Sequence, residues 1–256
     1  MKGRKAKFQE IFIWATLSLC LTGCGGAKVL KEPEPIVTTQ AVAVAADQQL
    51  SARLDWVIVR GGPGTWAKNA DWDEYLISMQ NLGGTPLTIT SIRVFDSLGT
   101  PINPGTDRKK LVKGAKRAKK RYEDDDIKVK AGAGTGTLLA SGAVVAGASA
   151  AVVASTIMTT SSAGAVAATG GLILVPALAV GGVFRGVNNS KVNDMIESRQ
   201  TLLPLELEAR SEQKLNVFFP LTPSPRRVEV NYSDLHGEYT LIIDTQDALV
   251  GLHISD

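Results

Sequence analysis

Residues 131–184 read AGAGTGTLLASGAVVAGASAAVVASTIMTTSSAGAVAATGGLILVPALAVGGVF, 54 positions without an Asp, Glu, Lys, Arg or His. Thr159-Thr160-Ser161-Ser162 divides the stretch into two apolar runs of 22 residues, Thr137 to Met158 and Ala163 to Phe184. As a helix each run reaches about 33 Å, enough for a hydrocarbon layer of about 30 Å. Small residues recur one turn apart at Gly142, Ala146, Ala150 and Ala154, the spacing that lets helix backbones approach closely. Pro176 kinks the second run unless a neighbour satisfies the freed carbonyl. The stretch therefore reads as a Gly/Ala-rich helical hairpin that contacts or spans a membrane, or that pairs with copies of itself. A buried helix pair inside a soluble domain, or a flexible low-complexity insertion, is the alternative. Whichever holds, the stretch interrupts a chain that is β-patterned on both sides.

Before it, Arg53–Arg60, Glu74–Asn81 and Thr85–Asp96 are strand-sized runs, closed by Gly61-Gly62-Pro63-Gly64, Gly83-Gly84 and Ser97-Leu98-Gly99. After a short helix at Ser190–Arg199, strands are expected at Leu202–Ala209, Lys214–Phe219, Arg227–Tyr232, Glu238–Asp244 and Leu249–Ile254. Residues 51–106 and 187–256 together make 126 residues, the scale of one immunoglobulin-like sandwich of roughly 100 residues. The expected fold is mainly β with an α-helical insertion: an antiparallel immunoglobulin-like β-sandwich interrupted by a basic helix and the apolar hairpin. The expected organisation is a signal peptide over 1–23 and a lipidated N-terminus and tether over 24–50. The sandwich's first part spans 51–106, the basic helix and connector 107–130, the hairpin 131–186 and the second part 187–256.

Arg108–Tyr122 carries nine positive charges, with apolar residues at 111, 112, 115, 118 and 122 along one helical face. Asp107 is placed to cap this helix. Beside an apolar hairpin, Lys116, Arg117, Lys119 and Lys120 read as a membrane-surface contact; a solvated helix balanced by Glu123–Asp126 is the plainer alternative.

At the N-terminus, Lys2, Arg4, Lys5 and Lys7 precede an apolar run, Ile11 to Leu21, which is too short to span a bilayer. Leu21-Thr22-Gly23-Cys24 follows and resembles the lipobox of bacterial lipoproteins. The resemblance implies cleavage before Cys24, a diacylglyceryl thioether on its sulfur and an acyl chain such as palmitate on its amine. With Gly25 next, it further implies retention at the outer membrane, lipid-anchored on the periplasmic side of the cell envelope; the inner membrane is the alternative. Cys20 and Cys24 are the chain's only cysteines, so cleavage leaves no disulfide and no cysteine metal site. It also takes away four basic residues and one acidic one, and the formal charge falls from +3 to zero. The basic balance therefore says little about partners, and nucleic acid is not expected among them.

Catalytic signatures are missing. The glycines at 132, 134 and 136 do not complete G-x-G-x-x-G, since Gly136 falls one place short and Thr137 stands where the third glycine is needed, and no Gly-Lys-Ser/Thr occurs. His236 and His253 are the only histidines. Asp71, Asp73 and Glu74, and the run Glu123–Asp126, read as solvated loops before weak cation sites. Trp56, Trp66 and Trp72 read as packing before ligand contact. No cofactor and no metal are expected. The expected function is that of a non-enzymatic envelope lipoprotein. A periplasmic β-sandwich would bind a protein partner, and the hairpin would supply membrane-lipid contact or self-association. The alternative is a membrane-active protein that perturbs or permeates a bilayer.

Overall fold

The computed structural model describes residues 27–33, 35–36, 40–133 and 188–255. The apolar hairpin from residue 134 on, the signal segment and Cys24 lie outside the described residues. Two antiparallel sheets dominate. The first has the order β10 (Glu212–Pro220), β5 (Trp72–Asn81), β3 (Leu50–Ile58), β2 (Ala43–Ala46). The second has the order β12 (Glu238–Asp244), β11 (Arg227–Ser233), β6 (Leu87–Phe95). On the far side of β6 lie β7 (Pro101–Ile102) and β9 (Leu205–Leu207).

The two sheets share one apolar core. Leu54, Tyr75, Ile77 and Phe219 come from the first sheet, and Ile92, Val94, Val228 and Val230 from the second. β11 shows why its sequence makes a half-buried strand: Val228, Val230 and Tyr232 point into the core, while Arg227, Glu229 and Asn231 alternate outward. β5 is different, being buried at every position but Gln80. Its second face lies under a further layer, which is why its residues do not alternate.

That layer comprises two helices and a small ribbon. α1 (Arg108–Glu123) lies over β10, and α2 (Asn188–Arg199) packs against α1 and β1 (Lys28–Val29). β1 pairs with β4 (Ala67–Lys68). Leu111, Trp66, Trp72, Val192, Ile196 and Phe218 form a second apolar cluster beneath them, and Ala27 is buried within it. Asp107 caps α1 as expected, accepting from the Lys110 N–H at 2.9 Å. This bond holds the Asp107 carboxyl below the ordinary carboxylate range.

Several segments differ from the sequence expectation. Residues 28–29 and 43–46, read as tether, are paired strands. Leu249–Ile254, expected as a strand, is mostly turns with Gly251 and His253 at positive φ. Leu249 and Leu252 still reach the core from it, and only β13 (Ile254–Ser255) pairs, with β8 (Lys128–Val129). Leu202–Ala209 shortens to β9.

Strands from before the apolar stretch pair with strands from after it: β5 with β10, and β6 with β9 and β11. Residues 51–106 and 188–255 therefore build one shared core. β8, just before the stretch, is held by the C-terminus: Lys130 N–H donates to the His253 carbonyl at 2.9 Å.

Candidate functional site

The outer face of the first sheet presents Trp72, Glu74, Asn216 and Phe218 to the helical layer. Glu74 sits at its centre, about 1 % exposed. Its carboxylate accepts from Trp66 Nε1 at 2.7 Å, Asn216 Nδ2 at 2.8 Å, and Arg199 Nε and Nη2 at 3.0 and 2.9 Å. The Arg199 guanidinium also lies 5.6 Å from the Trp66 ring. This network fastens the end of α2 to β5. The adjoining cleft, lined by Arg60, Thr65, Trp66, Trp72 and Glu74, admits nothing larger than a water molecule.

The acidic triplet noted in the sequence is dispersed onto separate partners. Asp71 pairs with Arg60 at 3.0 Å and Lys119 at 3.5 Å. Asp73, fully buried, meets His253 Nε2 at 2.7 Å, and the His253 Nδ1 faces the Lys130 carbonyl at 3.2 Å. Burial pushes the Asp73 carboxyl above the ordinary range, and His253 works against that shift. Among the described residues no group of three His, Cys, Asp or Glu side chains is arranged to hold a metal ion.

The three tryptophans among the described residues are all buried. Trp56 lies in the main core, and Trp66 and Trp72 pack 6.3 Å apart in the second. His236 stands in the turn before β12, where its N–H donates to Asp234.

α1 divides cleanly by face. Leu111, Gly114, Ala115, Ala118 and Tyr122 are buried against the protein, so the helix's apolar stripe is occupied by the fold itself. Lys116, Arg117 and Lys120 are exposed, and Lys119 is partly covered through its contact with Asp71. At the C-terminal end Arg121 reaches the buried Asp96 at 2.8 Å, a favourable place for a cation near a helix terminus. Tyr122 and Ser97 hydroxyls meet at 2.7 Å, and burial pushes the Tyr122 phenol upward.

On the neighbouring ribbon, Lys28 and Lys68 are directly opposed and both exposed. Cys24, Gly142, Ala146, Ala150 and Ala154 lie outside the described residues. Glu74, Arg199, the Asp73–His253 pair and the Lys28–Lys68 juxtaposition were not legible as sites, since each depends on partners far apart in sequence. Comparison with protein-family models, with curated proteins and with solved structures returns no match.

Proposed function

We propose that this chain is a non-enzymatic envelope lipoprotein, acylated at Cys24, whose β domain is held against a membrane by one particular face. The carrying observation is that the N-terminal residues, α1 and α2 all close over the same apolar cluster. Ala27 is buried there only three residues after Cys24, a span of about 10 Å when fully extended. α2 starts four residues after the apolar stretch ends at Phe184. These short connections support a reading in which the lipid and the apolar stretch attach on the side of the molecule that carries the basic helix. The second sheet, with its outward Arg93, Glu229 and Asn231, is left for a protein partner. The hairpin supplies a second membrane contact or a self-association element through Gly142, Ala146, Ala150 and Ala154. Lys116, Arg117 and Lys120, pointing away from the fold, supply an electrostatic contact with anionic lipid.

The two sheets are proposed to be immunoglobulin-like. The size supports this, as does β11 lying between β6 and β12, the place strand F holds between C and G in that fold. The proposed location is the periplasmic side of the outer membrane.

Cys24→Ser, with the export segment unchanged, tests the double attachment. The variant is expected to sediment with membranes after osmotic lysis, through the hairpin and the basic face. A variant found wholly in the periplasmic fluid would leave the apolar stretch without its role.

A further inference from the structure

Lys28 and Lys68 are cross-strand partners in the β1–β4 ribbon, and both are exposed. Directly opposed residues hold their Cβ atoms about 5 Å apart and project side chains to the same face. Val29 and Ala67, the next pair, turn inward toward the second apolar cluster, which leaves both lysines pointing out. Like charges in this arrangement are destabilising. Among the described residues neither lysine takes part in an ion pair. The acids on the adjoining elements are Glu32, Asp194 and Glu197, all exposed and likewise outside those pairs. The ribbon packs against α2, which carries Lys191. Among the described residues, the fold thus keeps two like charges side by side outside the ion pairs.

We infer that the Lys28–Lys68 pair is a phosphate-binding site for the headgroup of an anionic membrane lipid. The inference rests on the membrane-facing orientation proposed above. Lys28 stands four residues after Cys24, so even a fully extended chain keeps it within about 14 Å of the acylated sulfur. The polar layer of one leaflet is only several ångströms deep, on the order of 5–8 Å. An ammonium on that short leash meets lipid phosphates whenever the acyl chains are inserted. One phosphate between the two ammonium groups turns their repulsion into two charge-assisted hydrogen bonds. The site is separate from the exposed row on α1, and the two would act as independent contacts.

The test uses the full chain carrying Cys24→Ser, so that lipidation does not mask weaker binding. Vesicles of phosphatidylcholine are compared with vesicles that also contain phosphatidylglycerol. Three proteins are measured: the Cys24→Ser parent, Lys28→Gln with Lys68→Gln, and Lys116, Arg117, Lys119 and Lys120 all changed to Gln. The ribbon variant should bind the anionic vesicles at least tenfold more weakly at low salt, at roughly fivefold per lysine. It should bind the neutral vesicles like the parent. Its thermal midpoint should rise, because the opposed charges are gone. Unchanged binding by the ribbon variant, with weakened binding by the α1 variant, would overturn the lysine site and leave the membrane-facing reading standing. Unchanged binding by both variants would overturn both. Weaker binding with a lowered midpoint would also overturn the site, since the loss would then follow from a damaged ribbon.

Discussion

Glu74 shows how far a residue's neighbourhood can depart from its sequence context. In the chain it follows Asp71 and Asp73 and looks like part of an acidic loop. In the fold it is a buried acceptor facing only donors: an indole, a carboxamide and two guanidinium N–H groups. Arg199 is 125 positions away, and no local pattern links it to β5. Asp73 repeats the lesson with His253, 180 positions distant. Glu74→Gln keeps the volume but puts an NH2 where only acceptors fit, and it leaves the Arg199 charge, about 10 % exposed, without its partner. Breaking a buried pair from one side typically costs about 3–5 kcal/mol. Urea unfolding followed by tryptophan fluorescence should show a loss of that size. A loss below about 1 kcal/mol would mean that water, not Glu74, satisfies Arg199.

At the scale of elements, the strands facing solvent on one side were readable to their ends, and a strand covered on both was readable but for its start. β12 starts and ends where alternation predicts, Glu238 to Asp244. β5 begins two residues before the expected Glu74, because Trp72 and Asp73 are covered as thoroughly as the rest. α1 was readable as an amphipathic helix with its cap, but amphipathicity does not say what covers the apolar stripe. Here β10 covers it, at close range. A Cβ on Gly114 would stand 2.4 Å from Pro220 Cγ and 2.7 Å from its Cβ. Alanine in an exposed helix interior gains about 1 kcal/mol over glycine. Against a rigid proline ring, overpacking costs about 1–3 kcal/mol and can displace the helix. Gly114→Ala should therefore destabilise the protein, whereas Lys113→Ala, on the exposed face, should stay within about 0.5 kcal/mol of the parent. Chemical denaturation of both variants decides it; a stabilised Gly114→Ala would show that α1 is not seated on Pro220.

For the whole molecule, the decisive reading was that the charge-free stretch interrupts a β unit and does not separate two. The pairing of β5 with β10 and β6 with β11 bears directly on this, since each sheet is stitched from both sides of the interruption. Where the second layer would come from was not visible. The ribbon residues looked like tether, and the helices looked like surface. A sheet made from distant segments still owes part of its stability to closing the intervening loop, but that cost grows only by about 0.6 kcal/mol per doubling of loop length. Replacing residues 134–187 by a Gly/Ser linker of about 40 residues, with an r.m.s. span of about 35 Å, should thus leave the β unit able to close. Its stability should stay within about 1 kcal/mol of the parent, with one cooperative transition reported by the buried Trp56, Trp66 and Trp72. The same replacement in the Cys24→Ser background should release the protein from membranes at high salt, where the basic contacts are screened. Loss of the cooperative transition would instead mean that residues 134–187 complete the core, and the apolar stretch would then be a structural element of the fold and not its membrane contact.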